Sequence, residues 1–211
     1  MQIAIVLFDR FTGLDAVGPY EILGRLPDAE TVFVAEHRGP VRTDTGDLAI
    51  TADRTFAEVP RPDIVVVSGG PGQTPQMENE ILLDWLRTAD ATSTWTTSVC
   101  TGSLLLAAAG LLTGRRATSH WLALEHLRRF GAEPTEERVV TDGKYVTAAG
   151  VSSGIDMGLT LLGRIAGDEH ARTVQLAVEY DPQPPYDAGS PRKAPAHLVE
   201  RLRSRSRFNL S

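Results

Sequence analysis

The sequence predicts an α/β fold: a doubly wound, mostly parallel sheet with helices on both faces. Three observations predict it. Strand-like and helix-like segments alternate through most of the chain. Several strand-like segments are unbroken apolar runs, residues 3–8 and Ile64-Val65-Val66-Val67 among them, and that is the pattern of strands covered on both sides. The length of 211 residues, 42% of them hydrophobic, suits a single globular domain with a substantial core, since domains run to roughly 100–200 residues.

The elements follow in order. Residues 3–8 make a first buried strand. Leu14-Asp15-Ala16-Val17-Gly18-Pro19 opens a helix: Asp15 can cap it, Pro19 is tolerated only near a first turn, and apolar residues follow at helical spacing. Residues 31–36 make a second strand. Asp44-Thr45-Gly46, between residues 41–42 and 48–51, marks a hairpin. The β-branched run 63–68 is broken by Gly69-Gly70-Pro71-Gly72. Residues 80–89 are amphipathic, with Ile81, Leu82, Trp85 and Leu86 on one side. A strand then ends at Val99, and a helix of small residues begins after Cys100 and stops in the region of Gly110 and Gly114. Residues 120–130 read as a helix closed by a left-handed Gly131. Asp142-Gly143 joins residues 139–141 to 145–148 in a second hairpin. Residues 152–165 and 169–178 read as helices. Pro182, Pro184, Pro185 and Pro191 enforce an extended segment before a last helix at 196–203. The two turn-linked pairs suggest antiparallel additions to the sheet. With no internal repeat, no low-complexity segment and no boundary for a second unit, residues 1–211 are expected to form one domain ending in an extended segment and a helix.

Composition narrows the function. The net charge of -6 argues against a nucleic-acid partner. One cysteine excludes an intramolecular disulfide and fits a reducing, cytoplasmic home. The first apolar run turns polar at Asp9-Arg10, too soon for a signal peptide, and no run approaches the roughly 20 apolar residues of a membrane span. No spacing of His, Cys, Asp and Glu resembles a metal site. No membrane, metal or organic cofactor is expected.

Cys100 carries the chemistry. A lone cysteine is more often an inert core residue, but this one falls on a strand-to-helix turn followed by the small residues Thr101-Gly102-Ser103. Such a turn aims a nucleophile outward, and the positive end of the following helix is expected to lower the thiol pKa below its usual value of about 8.5. The glycine run after residue 68 should lie at the same carboxyl edge of the sheet. Gly70 N–H with Thr101 N–H is the expected oxyanion-type pair. No Lys-Ser or Lys-Thr follows the glycines, so they are not a phosphate loop. Asp15, after the first strand, reads equally as a proton carrier or as a helix cap. Glu21, nearly two turns on, is the competing carboxyl. His120 reads as a Cys–His partner or, more simply, as a structural hydrogen-bonder. Arg201, Arg203, Arg205 and Arg207 read as a solvated helix face and tail.

Leu14-Asp15-Ala16-Val17-Gly18-Pro19, Ser68-Gly69-Gly70-Pro71-Gly72, Thr97-Ser98-Val99-Cys100-Thr101-Gly102-Ser103, Arg116-Ala117-Thr118-Ser119-His120-Trp121 and Gly150-Val151-Ser152-Ser153-Gly154-Ile155-Asp156 together resemble the ThiJ/PfpI superfamily of the class I glutamine amidotransferase-like fold. Within it the chain is most similar to the isonitrile (isocyanide) hydratase branch. The resemblance spans nearly the whole chain. It implies a flavodoxin-like homodimer, with Cys100 as nucleophile on a strained elbow, Asp15 as the acid/base carboxyl, and Thr101 hydrogen-bonding in the site. The activity implied is a lyase reaction, cysteine-dependent hydration of isonitriles to N-substituted formamides through a thioimidate. Alternatives are a glyoxalase-like or amide-hydrolysing cysteine enzyme, or a non-catalytic oxidation sensor using Cys100. PfpI-type peptidases carry a histidine directly after the cysteine where this chain has Thr101, so a protease of that kind is not expected. Regulators in the superfamily append a helix-turn-helix region, for which a chain ending at Ser211 leaves no room. Ala148-Ala149-Gly150 replaces the glycine run of hydratases.

Overall fold

The structure, a computed structural model, describes residues 1–208. In chain order it contains β1 (Gln2–Val6), α1 (Gly13–Leu23), β2 (Glu30–Ala35), β3 (Gly39–Arg42), β4 (Ala49–Ala52), β5 (Arg54–Thr55), β6 (Ile64–Val67), α2 (Gln73–Gln76), α3 (Glu80–Asp90), β7 (Trp95–Val99), α4 (Gly102–Ala108), β8 (Arg116–Ala117), β9 (Glu133–Pro134), β10 (Val139–Asp142), β11 (Tyr145–Ala148), α5 (Ser153–Ala166), α6 (Asp168–Ala177) and α7 (Ala196–Ser204).

Seven strands form the central sheet in the order β10-β11-β7-β6-β1-β2-β5. All neighbours are parallel except the edge pair β10–β11. This is the flavodoxin-like, doubly wound arrangement expected. The apolar runs are the inner strands: every residue of β6 and of β11 is buried, as are Ile3, Ala4, Ile5 and Val6 of β1. Of the two hairpins, one joins the sheet as β10–β11, and the other, β3–β4, stands apart as its own two-stranded ribbon.

Helices α1 and α5 pack closely on one face. A Cβ on Gly158 of α5 would come within 2.9 Å of the Ile22 Cβ of α1, so only glycine admits that approach. Pro19 sits inside α1, beyond the first turn where the sequence expectation had confined it. It packs against Gly154 of α5, so tertiary contact accompanies what propensity disfavours. On the other face Phe56 stacks on Trp85 at 4.9 Å, and Trp85 Nε1 donates to the Val59 carbonyl at 2.8 Å.

The expected helix at 120–130 is shorter and of another kind. Only Leu124–Phe130 is helical, as a 3-10 helix, closed by Gly131 in the left-handed conformation. The preceding residues turn tightly: Ala123 N–H donates to the His120 carbonyl at 2.7 Å, and Ser119 is drawn to the sheet edge by a bond to the Cys100 carbonyl. The two-residue strands β5, β8 and β9 and the single-turn α2 are too short to carry a periodic signal, and the sequence did not reveal them.

The sheet order sets the site. The chain leaves β1 for β2 on one side and later places β6 and β7 on the other. The crevice at the carboxyl ends of β1 and β6 is therefore a topological switch point, where open α/β sheets bind ligands. Asp15 follows β1, Gly69 follows β6 and Cys100 follows β7.

Candidate active site

Cys100 directly follows β7, on the two-residue turn into α4, with φ +57°, a left-handed conformation unusual for a non-glycine residue. Hydrogen bonds hold it from both sides. Its N–H is shared between the carbonyls of Ala148 (3.1 Å) and Ala149 (2.9 Å), at the end of β11. Its carbonyl accepts from Ser103 Oγ at 3.2 Å and Ser119 Oγ at 3.0 Å. Strain of this kind costs on the order of 1–3 kcal/mol and persists only when the surroundings over-determine it. The sequence reading missed Ser119; a hydroxyl 19 residues from Cys100 carries no local signal of this use.

Asp15 is fully buried below the turn. It is not the cap of α1, since that position is Thr12, whose hydroxyl donates instead to Asp44 Oδ2 at 2.8 Å. Asp15 Oδ2 accepts the Gly69 N–H at 2.9 Å, and Oδ1 accepts no N–H or O–H from the described residues. Burial pushes the carboxyl up from 3.8 to about 7; the Gly69 N–H and the Cys100 thiol pull it down, and Asp44 adds a smaller push upward. The orphaned oxygen is a natural seat for a proton. Gly69, absent from the expected site, is essential to this contact. A Cβ there would lie 2.5 Å from Thr101 N and 2.9 Å from Asp15 Oδ2.

The thiol departs from expectation. Burial pushes Cys100 up rather than down, and the Asp15 carboxylate beside it pushes the same way; N–H groups of Val151 and Thr101 pointing at the sulfur oppose them. The short α4 does not outweigh burial. Cys100 and Asp15 therefore form a coupled buried pair in which a charge on one disfavours a charge on the other. With the proton on Asp15, the sulfur is a thiolate facing two backbone donors.

The expected oxyanion pair is not available. Gly70 N–H donates to Thr101 Oγ1 at 3.0 Å, and Thr101 N–H serves the sulfur. The buried Thr101 hydroxyl thus ties the glycine loop to the Cys100 turn, and Gly70 lines the cavity without offering a free donor. Glu21 is not in the site. It is exposed on α1 and pairs with Arg25 at 3.1 Å, because its position on the helix turns it to solvent. His120 does line the cavity, but its Nδ1 accepts the Leu122 N–H at 3.3 Å. Among the described residues it makes no hydrogen bond to Cys100. Burial, then Arg207, lowers its pKa, so it faces the cavity neutral.

The cavity above Cys100 has a volume of ≈ 360 Å³ and is lined by Thr12, Gly70, Cys100, His120, Val151 and Arg207, among others. Among the described residues no cluster of three or more His, Cys, Asp or Glu side chains could hold a metal ion, and no helix is long and apolar enough to cross a membrane.

Comparison with known proteins agrees with this geometry. The chain is 44% identical over 206 residues to the isonitrile hydratase of Pseudomonas putida, covering 98% of this chain and 90% of the relative. It is 31% identical over 175 residues to the transcriptional regulator CdhR of Pseudomonas aeruginosa, covering 82% of this chain but 48% of the regulator. A crystal structure of a ThiJ/PfpI family protein from Pseudomonas syringae superposes with a TM-score of 0.94 at 40% identity, covering 96% of this chain and 84% of that one. The family model for DJ-1/PfpI matches residues 1–164, and the chain belongs to the DJ-1/PfpI family.

Proposed function

We propose that this protein is a lyase that hydrates isonitriles to N-substituted formamides, with Cys100 as nucleophile and Asp15 as the proton carrier. The turn at Cys100 acts as the nucleophile elbow. One observation supports the reaction above others: a buried carboxyl beside a buried thiol, each pushed up by burial, with the N–H groups of Val151 and Thr101 directed at the sulfur. Hydrolysis of an amide or ester builds charge on oxygen and calls for an oxyanion site. Attack on an isonitrile builds charge on carbon, and a proton donor at that carbon is what the step needs. The likeness to the P. putida isonitrile hydratase supports the same substrate class.

The reaction balances with one shared proton. The Cys100 thiolate adds to the terminal carbon of R–N≡C while Asp15 delivers its proton to that carbon, giving the thioimidate R–N=CH–S. The Asp15 carboxylate then takes a proton from the attacking water and passes it to nitrogen. It next takes the hydroxyl proton as the tetrahedral adduct collapses, expelling the Cys100 thiolate and releasing R–NH–CHO. Thr101 holds the loop through Gly70 and supplies a donor to the sulfur; His120, neutral and bonded to the Leu122 N–H, is not needed for these transfers.

The reading extends to a homodimer working in the cytoplasm, with residues 1–211 as one functional unit. The exposed Leu176, Tyr186 and Leu202 in the C-terminal third support an interface. The decisive experiment incubates the protein with an alkyl or aryl isonitrile, follows formamide and traps the Cys100 adduct by mass. Consumption of methylglyoxal without isonitrile turnover would replace this reading with a glyoxalase-like one. Unchanged isonitrile turnover by Cys100→Ala would sink the covalent scheme.

A further inference from the structure

Arg207 lies in a tail that the sequence presents as solvated. The structure instead folds residues 205–208 back over the nucleophile cavity, where Arg205, Ser206, Arg207 and Phe208 contribute to the wall. Arg207 Nη2 donates to the Gly70 carbonyl at 2.9 Å and approaches Gln73 Oε1 at 3.4 Å. Its guanidinium stacks on the Phe208 ring at 4.6 Å, and that ring packs edge-on against His126 at 5.2 Å. The guanidinium is therefore positioned, not free.

Among the described residues no carboxylate lies within ion-pair distance of Arg207, and its Nε and Nη1 donors make no hydrogen bond. The other charges facing it are Arg10 and the Cys100 thiolate when that forms; Arg10 adds positive charge. Among the described residues lining the cavity the one carboxylate is Asp44, committed to the Thr12 hydroxyl (2.8 Å) and to the Thr45 N–H (3.0 Å). Among the described residues, a cavity with Cys100 at its floor thus has a guanidinium in its wall with a free edge of donors and no resident anion.

We propose that Arg207 is a specificity-determining residue that binds a carboxylate on the substituent of the substrate, so that the preferred isonitriles are acidic ones. A planar guanidinium held at one edge presents its remaining N–H groups in the geometry a carboxylate accepts. The ≈ 360 Å³ cavity accommodates a small substituent between the reacting carbon and that edge. The substrate class rests on the hydratase reading; the anion subsite itself does not.

The test has two arms. In the first, kcat/KM is compared for an isonitrile carrying a carboxylate and for its methyl ester, in the wild type, Arg207→Gln and Arg207→Glu. The wild type should favour the acid. The acid-to-ester ratio should drop about 5-fold in Arg207→Gln, the size of one partly exposed charge contact, and further in Arg207→Glu. An unchanged ratio overturns the proposal, as does a wild type that favours the ester. In the second, Cys100 is alkylated with iodoacetate and with iodoacetamide. It is the only cysteine, so label incorporation reads this site alone. The iodoacetate-to-iodoacetamide rate ratio, taken relative to a free thiol at the same pH, should fall in both variants. Should neither isonitrile turn over, the hydratase reading fails and the alkylation ratio alone judges the subsite: a fall upholds it, no change refutes it.

Discussion

Replacing Asp15 by Asn tests directly whether burial raises this carboxyl and whether it carries the proton. The amide has the shape of the carboxyl and can still accept the Gly69 N–H, but it has no proton to lose. In the wild type, burial raises Asp15 from 3.8 to about 7. Between those values the folded protein binds more protons than the unfolded chain, so stability falls as pH rises, and the loss is complete above about 7. Its size is about 4 kcal/mol, at about 1.4 kcal/mol for each tenfold change. For a chain of this length about 2–4 °C follows each kcal/mol, so the effect on Tm is about 8–16 °C. The Asn variant lacks this term. Thermal melts from pH 4 to pH 8 should therefore show its Tm gaining on the wild type by about that amount, while its turnover falls by about 10²–10⁴-fold for want of a proton carrier. Parallel Tm profiles would refute burial as the cause of the shift. Turnover at the wild-type rate would remove Asp15 from the reaction.

Three further outcomes follow from the same geometry. Gly69→Ala should destabilise the fold by about 2–4 kcal/mol and cripple turnover, because the new Cβ would meet backbone at 2.5 Å and cannot be relieved by a side-chain rotation; denaturant melts and initial rates report both. Ser119→Ala should cost about 1 kcal/mol by removing one of two hydroxyls on the Cys100 carbonyl; Ser103 remains, so turnover should drop less than in the Gly69 variant. His120→Asn should keep the pH dependence of kcat set by the Cys100–Asp15 pair, since His120 makes no hydrogen bond to Cys100 among the described residues; a lost limb in the pH–rate profile would return it to the proton path.

The layout of the fold was legible because burial on both faces writes itself into β1 and β6 as continuous apolar runs. The turn at Cys100 was legible because small residues follow a strand there. Asp15 was placed at the correct edge, but its own residues left cap and proton carrier equally open: a carboxyl near a helix start looks the same whether it caps or faces a thiol 85 residues away in sequence. The sequence pointed to Gly70 N–H as a donor, yet the Thr101 hydroxyl occupies it. The helix drawn through residues 120–130 followed local periodicity and overlooked the bond that pulls Ser119 to Cys100.

The sequence by itself determined the order and burial of the elements, the strand-to-helix position of the lone cysteine, and membership of a family that uses it. Those are local properties, set by which side chains must be covered and which backbones small residues permit. The tertiary structure decided the finer terms: that the thiol is pushed up rather than down, that burial raises Asp15 beside it, and that Arg207 lines the cavity instead of facing solvent. Each depends on groups 54 to 137 residues apart, such as Gly69 with Asp15 and Gly70 with Arg207, which meet only once the sheet has formed and water has been excluded.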